Sequence, residues 1–208
     1  MKQIILILFI ATLTFHALGQ STGVKQIGPE KKEQKLKRAH YPAFYITTST
    51  GINNNTGVLG FSFDVPVSKN ISIDAGVGAG SWNNKIYAGV KYYLDPFHRG
   101  FAFGTGLTYS SGLSDDRAYM TTIYGNNEWI EYNKNPQTNI LFAAYKYWNM
   151  GKKYNRWYVE LGWSVRVTGG SIVTQLTGDP LDRVTLNTLE LFAPGGLIAG
   201  VGMSFGVH

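Results

Sequence analysis

From Pro42 onward the chain alternates, with large apolar side chains on every second position and small ones between them. The run RWYVELGWSVRV, 156–167, puts Trp157, Val159, Leu161, Trp163, Val165 and Val167 on one face. Tyr158, Glu160, Gly162, Ser164 and Arg166 fall on the other. Successive side chains of a strand point to opposite faces, so a period of two builds strands and cannot build an amphipathic helix. Seven further segments share the habit: 43–52, 56–65, 71–80, 85–94, 101–109, 138–148 and 196–207. Two are less regular. Segment 43–52 alternates weakly, and 138–148 is ambiguous in phase, with Leu141, Ala143, Tyr145 and Tyr147 forming its more apolar set.

Each segment has the length that a tilted strand needs to cross a bilayer, about 9–11 residues. The connections 67–70, 95–100 and 149–156 are short, whereas 110–137 and 168–195 are long, and the brief links 53–56 and 81–84 fall on the side of the long pair. The predicted fold is therefore all-β: an eight-stranded, antiparallel, up-and-down transmembrane β-barrel over 43–208, with large surface loops 110–137 and 168–195. Eight strands leave room inside for side chains or one small ligand. The glycine- and serine-rich faces accordingly belong to the lumen and the large apolar faces to lipid. Phe63, Tyr92, Phe101, Tyr147 and Trp157 at the turn end, with Trp82 and Tyr109 at the loop end, would form the interfacial aromatic girdles.

The N-terminus reads as a secretory signal peptide over 1–19. Lys2 precedes an apolar run from Ile4 to Leu13, and Ala17-Leu18-Gly19 supplies small residues for cleavage. Residues 20–42 form a basic periplasmic leader. Much of the net charge of +6 sits in its run Glu30–His40, which reads as a solvated segment and implies no nucleic-acid partner. The chain has no cysteine, so neither a disulfide nor a lipidated cysteine contributes. Only 15% of residues are charged, against about 25% in soluble domains.

On strand count, alternation and loop asymmetry across 43–207, the chain resembles the small eight-stranded outer-membrane barrels of Gram-negative bacteria, the outer-membrane-protein-A-like and X-like group. The last strand, GVGMSFGV, is similar through Gly202, Phe205 and Val207 to the terminal signal read by the barrel-assembly machinery, although His208 follows where an aromatic residue is usual. The resemblance implies the outer membrane as location, its lipid as surroundings and that machinery as the partner in biogenesis. It implies little about activity.

The motifs that suggest chemistry have plainer readings. GVGAGS, 76–81, leads into another strand, whereas a phosphate loop must open a helix, so its glycines line a strand face. Glu160 lies at the turn-end level with Asp64, Asp74, Lys91 and Lys146, and a charge in a narrow lumen needs a partner. These five are expected to form a lumen network that plugs the barrel. Lys85 and Arg166 sit at the barrel mouth, where Asp115, Asp116 or Glu128 of the loops would pair with them; an anionic headgroup is the alternative.

His40, His98 and His208 all fall on the turn side, away from the outer face where a lipid-modifying triad would stand. No cluster has metal-ligand spacing. No catalytic residue, metal or cofactor is therefore expected. In the first long loop, 120–132 reads as a hairpin around Gly125-Asn126-Asn127, with arms of about five residues; its Tyr119, Tyr124, Trp129 and Tyr132 form either a lid packed on the barrel mouth or a contact surface. The last loop is expected to extend its neighbouring strands above the membrane. The function that follows is a non-enzymatic barrel with a structural, adhesive or partner-binding role carried by its loops. A narrow small-solute channel is the alternative, and a lipid-modifying enzyme a weaker one.

Overall fold

A computed structural model describes residues 42–95, 98–151 and 154–207. The expected signal peptide, His40, His208 and nearly all of the expected basic leader lie outside the described residues. The strands are β1 (Phe44–Ile52), β2 (Leu59–Pro66), β3 (Ile71–Gly80), β4 (Asn83–Tyr93), β5 (Gly100–Ser110), β6 (Leu113–Thr121), β7 (Asn127–Lys134), β8 (Gln137–Asn149), β9 (Arg156–Arg166), β10 (Val173–Gln175) and β11 (Gly196–Val207), with one helix, α1 (Arg183–Phe192). Eight of them close an antiparallel barrel in the order β1-β2-β3-β4-β5-β8-β9-β11, each paired with its neighbour along the chain. Closure comes from β1 against β11, from Phe44 opposite Val207 to Ile52 opposite Ala199. No barrel strand keeps a free edge, so every ladder finds its partner inside the molecule.

The period-two pattern sorts the two faces. Phe61, Phe63, Val77, Ile86, Phe103, Leu107, Leu161 and Trp163 point outward and are exposed, Leu161 to 58% and Trp163 to 57%. Ser62, Asp64, Ser72, Asp74, Lys91, Tyr93, Tyr158 and Glu160 point inward and are buried. Glycines on the inner face make room for the lumen's tyrosines. A Cβ on Gly202 would stand 2.6 Å from the Tyr158 ring, so only glycine fits beside it.

Strand β8 runs in the phase opposite to the expected one. Leu141, Ala143, Tyr145 and Tyr147 are its buried, inward residues, while Phe142 and Trp148 face out. Tyr145 finds a polar partner in the lumen, donating to Glu160, and Gly104 on the neighbouring β5 leaves space for its ring. Tyr147 is thus no girdle residue. Trp148 faces outward instead, stacked on Trp157 with ring centroids 4.2 Å apart. Trp82 is also buried, packed with Ile172 and Ala193 beneath the last loop, and its indole N–H donates to the Asn135 carbonyl at 3.0 Å.

The loop side carries a second small sheet in the order β6-β7-β10. The hairpin arms, nine residues in β6 and eight in β7, are longer than expected. The last loop does not prolong β9 and β11. It adds the short β10 to β7 and then forms α1, whose N-cap Asp182 accepts a hydrogen bond from the Thr185 N–H at 2.7 Å. Met120, Ile130, Tyr132 and Leu181 form a core between hairpin and loop, with Leu189 of α1 packed against it.

Candidate functional site

The turn end of the lumen is closed by Arg156, the first residue of β9. Alternation places it on the face of Tyr158 and Glu160, and it is 2% exposed. Its guanidinium lies 3.8 Å from the Tyr45 ring centroid and 4.2 Å from that of Tyr147. Nη1 donates to the His98 carbonyl at 2.6 Å, and Nη2 donates to Asp64 Oδ2 and to the Tyr93 hydroxyl, both at 3.0 Å. The Tyr93 hydroxyl donates in turn to Asp64 Oδ2 at 2.5 Å. His98, in the β4–β5 turn, stacks on Tyr93 at 4.3 Å, and its Nε2 lies 3.0 Å from the Lys69 carbonyl. Burial, helped by the neighbouring Arg156 charge, holds its imidazole below the ordinary histidine value. A planar cation between aromatic faces, fixed by a carboxylate and a carbonyl, is a stopper. Neither Arg156 nor His98 belongs to the expected lumen set, yet Arg156 was legible: it continues inward the series Tyr158, Glu160.

Above this stopper, Lys91 pairs with Asp74 at 2.5 Å and lies 3.8 Å from Asp64. Glu160 Oε1 accepts from the Tyr145 hydroxyl at 3.2 Å, and among the described residues no cation pairs with it. Lys146 is not in the lumen. The reversed phase of β8 turns it outward, where its ammonium sits 4.2 Å from the Phe101 ring centroid. The third interior base is Lys85, and it meets no loop carboxylate. Its ammonium donates to the backbone carbonyls of Asn54 at 2.6 Å and Asn53 at 3.3 Å.

Those carbonyls belong to the β1–β2 connection, which folds into the mouth. Asn54, Asn55 and Thr56 are fully buried there. Thr56 bonds Ser49 through the two hydroxyls at 2.5 Å, and Asn55 Nδ2 donates to Asp74 Oδ2 at 3.4 Å. The barrel is thus filled from both ends.

Two of the three expected loop carboxylates, Asp116 and Glu128, are occupied elsewhere. Asp116 pairs with Lys134 at 2.7 Å and accepts from the Tyr132 hydroxyl at 3.0 Å. Glu131 pairs with Arg117 across the hairpin, and Glu128 accepts the Asp179 N–H at 2.8 Å. Arg166 therefore forms no ion pair among the described residues. On the hairpin, Tyr119 and Trp129 are 62% and 69% exposed with ring centroids 5.7 Å apart, and Tyr124 is exposed beside them. Tyr132 does not share that surface. At 4% exposure it belongs to the core under the hairpin. Among the described residues no group of three or more His, Cys, Asp or Glu side chains could hold a metal ion. No protein-family model, curated protein or solved structure matches this chain.

Proposed function

We propose that the chain is an outer-membrane β-barrel of a Gram-negative bacterium, non-enzymatic, with a structural, adhesive or partner-binding role carried by its loop assembly. The observation that carries the reading is the exterior of the barrel. Large apolar side chains stand exposed on every barrel strand, among them Ile46, Phe61, Ile73, Ile86, Phe103, Phe142, Leu161 and Val201. A protein in water rarely leaves more than a few hundred Å² of contiguous apolar surface uncovered, whereas a bilayer provides the cover. The lumen supports an anchor over a channel, because Arg156, Lys91 and the tyrosines around them are shut off from water. The exposed Tyr119–Trp129 pair, on a sheet held away from the barrel wall, suits a contact surface.

Fractionation and pull-down test this together. The protein should sediment with outer membranes and run faster on gels before boiling than after. Tyr119→Ser with Trp129→Ser should abolish capture of any partner from native membranes without altering that mobility. Recovery from a soluble periplasmic fraction would refute the membrane reading.

A further inference from the structure

On the loop side, a cavity of about 200 Å³ opens between the end of β9, the segment before β10 and α1. It is lined by Arg166, Gly170, Ser171, Ile172, Val173, Leu186, Leu189 and Glu190. Its walls are of two kinds. Ile172, Val173, Leu186 and Leu189 make an apolar side, while Arg166 brings a guanidinium with no carboxylate partner, whose Nε is buried without a hydrogen bond. A guanidinium is always charged and presents a planar fork of donors that matches a two-oxygen anion.

We propose that this cavity binds a singly charged amphiphile, a carboxylate or phosphodiester head bearing an alkyl stem. The head would lie on Arg166 and the stem against Leu186 and Leu189. Glu190, exposed on the same lining, sets the charge: it penalises a second negative charge and so disfavours a phosphate dianion. The volume is below the roughly 300–1,000 Å³ of pockets that enclose a drug-sized molecule, so the site holds a head and the first part of a stem. The site lies on the loop side and its binding can be read in detergent, so it stands apart from the membrane reading above.

The test uses the full chain refolded in a neutral detergent and labelled with ¹⁵N-arginine. Octanoate should shift the Arg166 Nε–H resonance saturably, and octanol and inorganic phosphate should each bind at least about tenfold more weakly. Calorimetry should show octanoate weakened about tenfold or more by Arg166→Gln and tightened by Glu190→Gln. Leu189→Ser should weaken octanoate as well, which keeps the apolar wall testable should the arginine variant fail to fold. Nanodiscs of phosphatidylglycerol, compared with phosphatidylcholine, name the source. A shift in the former supports a lipid headgroup, and a shift with octanoate alone supports a free amphiphile. Absence of any saturable shift overturns the proposal, as does equal binding of inorganic phosphate or an unchanged affinity in Arg166→Gln.

Discussion

Arg156 is tied into the turn end of the lumen by three acceptors, since Asp64, the Tyr93 hydroxyl and the His98 carbonyl all converge on it. Arg156→Ala leaves Asp64 only the more distant Lys91 and the Tyr93 hydroxyl, so it should cost about 3 kcal/mol in unfolding experiments in detergent, the low end for a broken buried pair. Combining it with Asp64→Asn should recover part of that loss, and strict additivity would show that the pair is not coupled. Glu160 is different. Lys91 is already held by Asp74, so Glu160→Gln strands no cation and should stay within about 1 kcal/mol, while Lys91→Met, which orphans Asp74, should cost several times more. On the outer face, the proposed membrane setting predicts that Leu161→Ala is mild, because lipid would refill the space, and that Leu161→Arg costs about 2–4 kcal/mol. Gly162→Ala, one residue on, should be worse than Leu161→Ala. Its Cβ would stand 2.7 Å from the Ala143 Cα, and backbone in a closed sheet cannot step aside.

Among the elements, the hairpin's stability should follow acid. Partial burial pushes the Asp116 carboxyl up, but hydrogen bonds from Lys134 and Tyr132 outweigh it and hold the group below its ordinary value. A carboxyl depressed in the folded state contributes above its unfolded value, near 3.9, and the contribution fades as pH falls through the folded value. Amide exchange in β6 and β7 should therefore quicken only below about pH 4, and Asp116→Asn should remove that step. The legibility of the elements follows the same physics. Where large and small residues alternate strictly, as in β2, β3 and β9, both faces could be read from the chain. In β8 both faces are bulky, Leu141, Tyr145 and Tyr147 against Ile140, Phe142 and Trp148, and the choice between them rests on contacts inside the barrel, such as Tyr145 with Glu160 and Gly104. Helix α1 hid for a related reason: Val184, Leu186, Leu189 and Leu191 mimic strand alternation in part. Asp182 placed three residues before Thr185 was the cap signal that separates the two.

At the scale of the whole molecule, closure and filling are separate achievements. Closure was readable, since eight segments with alternating short and long links leave few other topologies. Filling was readable only in part: the acids and Lys91 stand on obvious inward positions, but the contribution of a turn histidine and an inward-folded Asn53–Thr56 loop depends on contacts across the barrel. The two fillers act in series along one narrow path, Arg156 with Tyr45, Tyr93 and Tyr147 at the turn end, and Asn54 with Asn55 at the mouth. Resistances in series are set by the larger one, so opening either end alone leaves the other shut. In planar bilayers the native protein should show no steady conductance. Arg156→Ser alone and the pair Asn54→Gly with Asn55→Gly should each stay silent, and all three together should conduct only once Tyr145→Ala and Tyr158→Ala also open the buried middle of the lumen. A steady current through the native barrel, or one from either single-end opening equal to that of the combined variant, would show that the lumen is not stoppered twice.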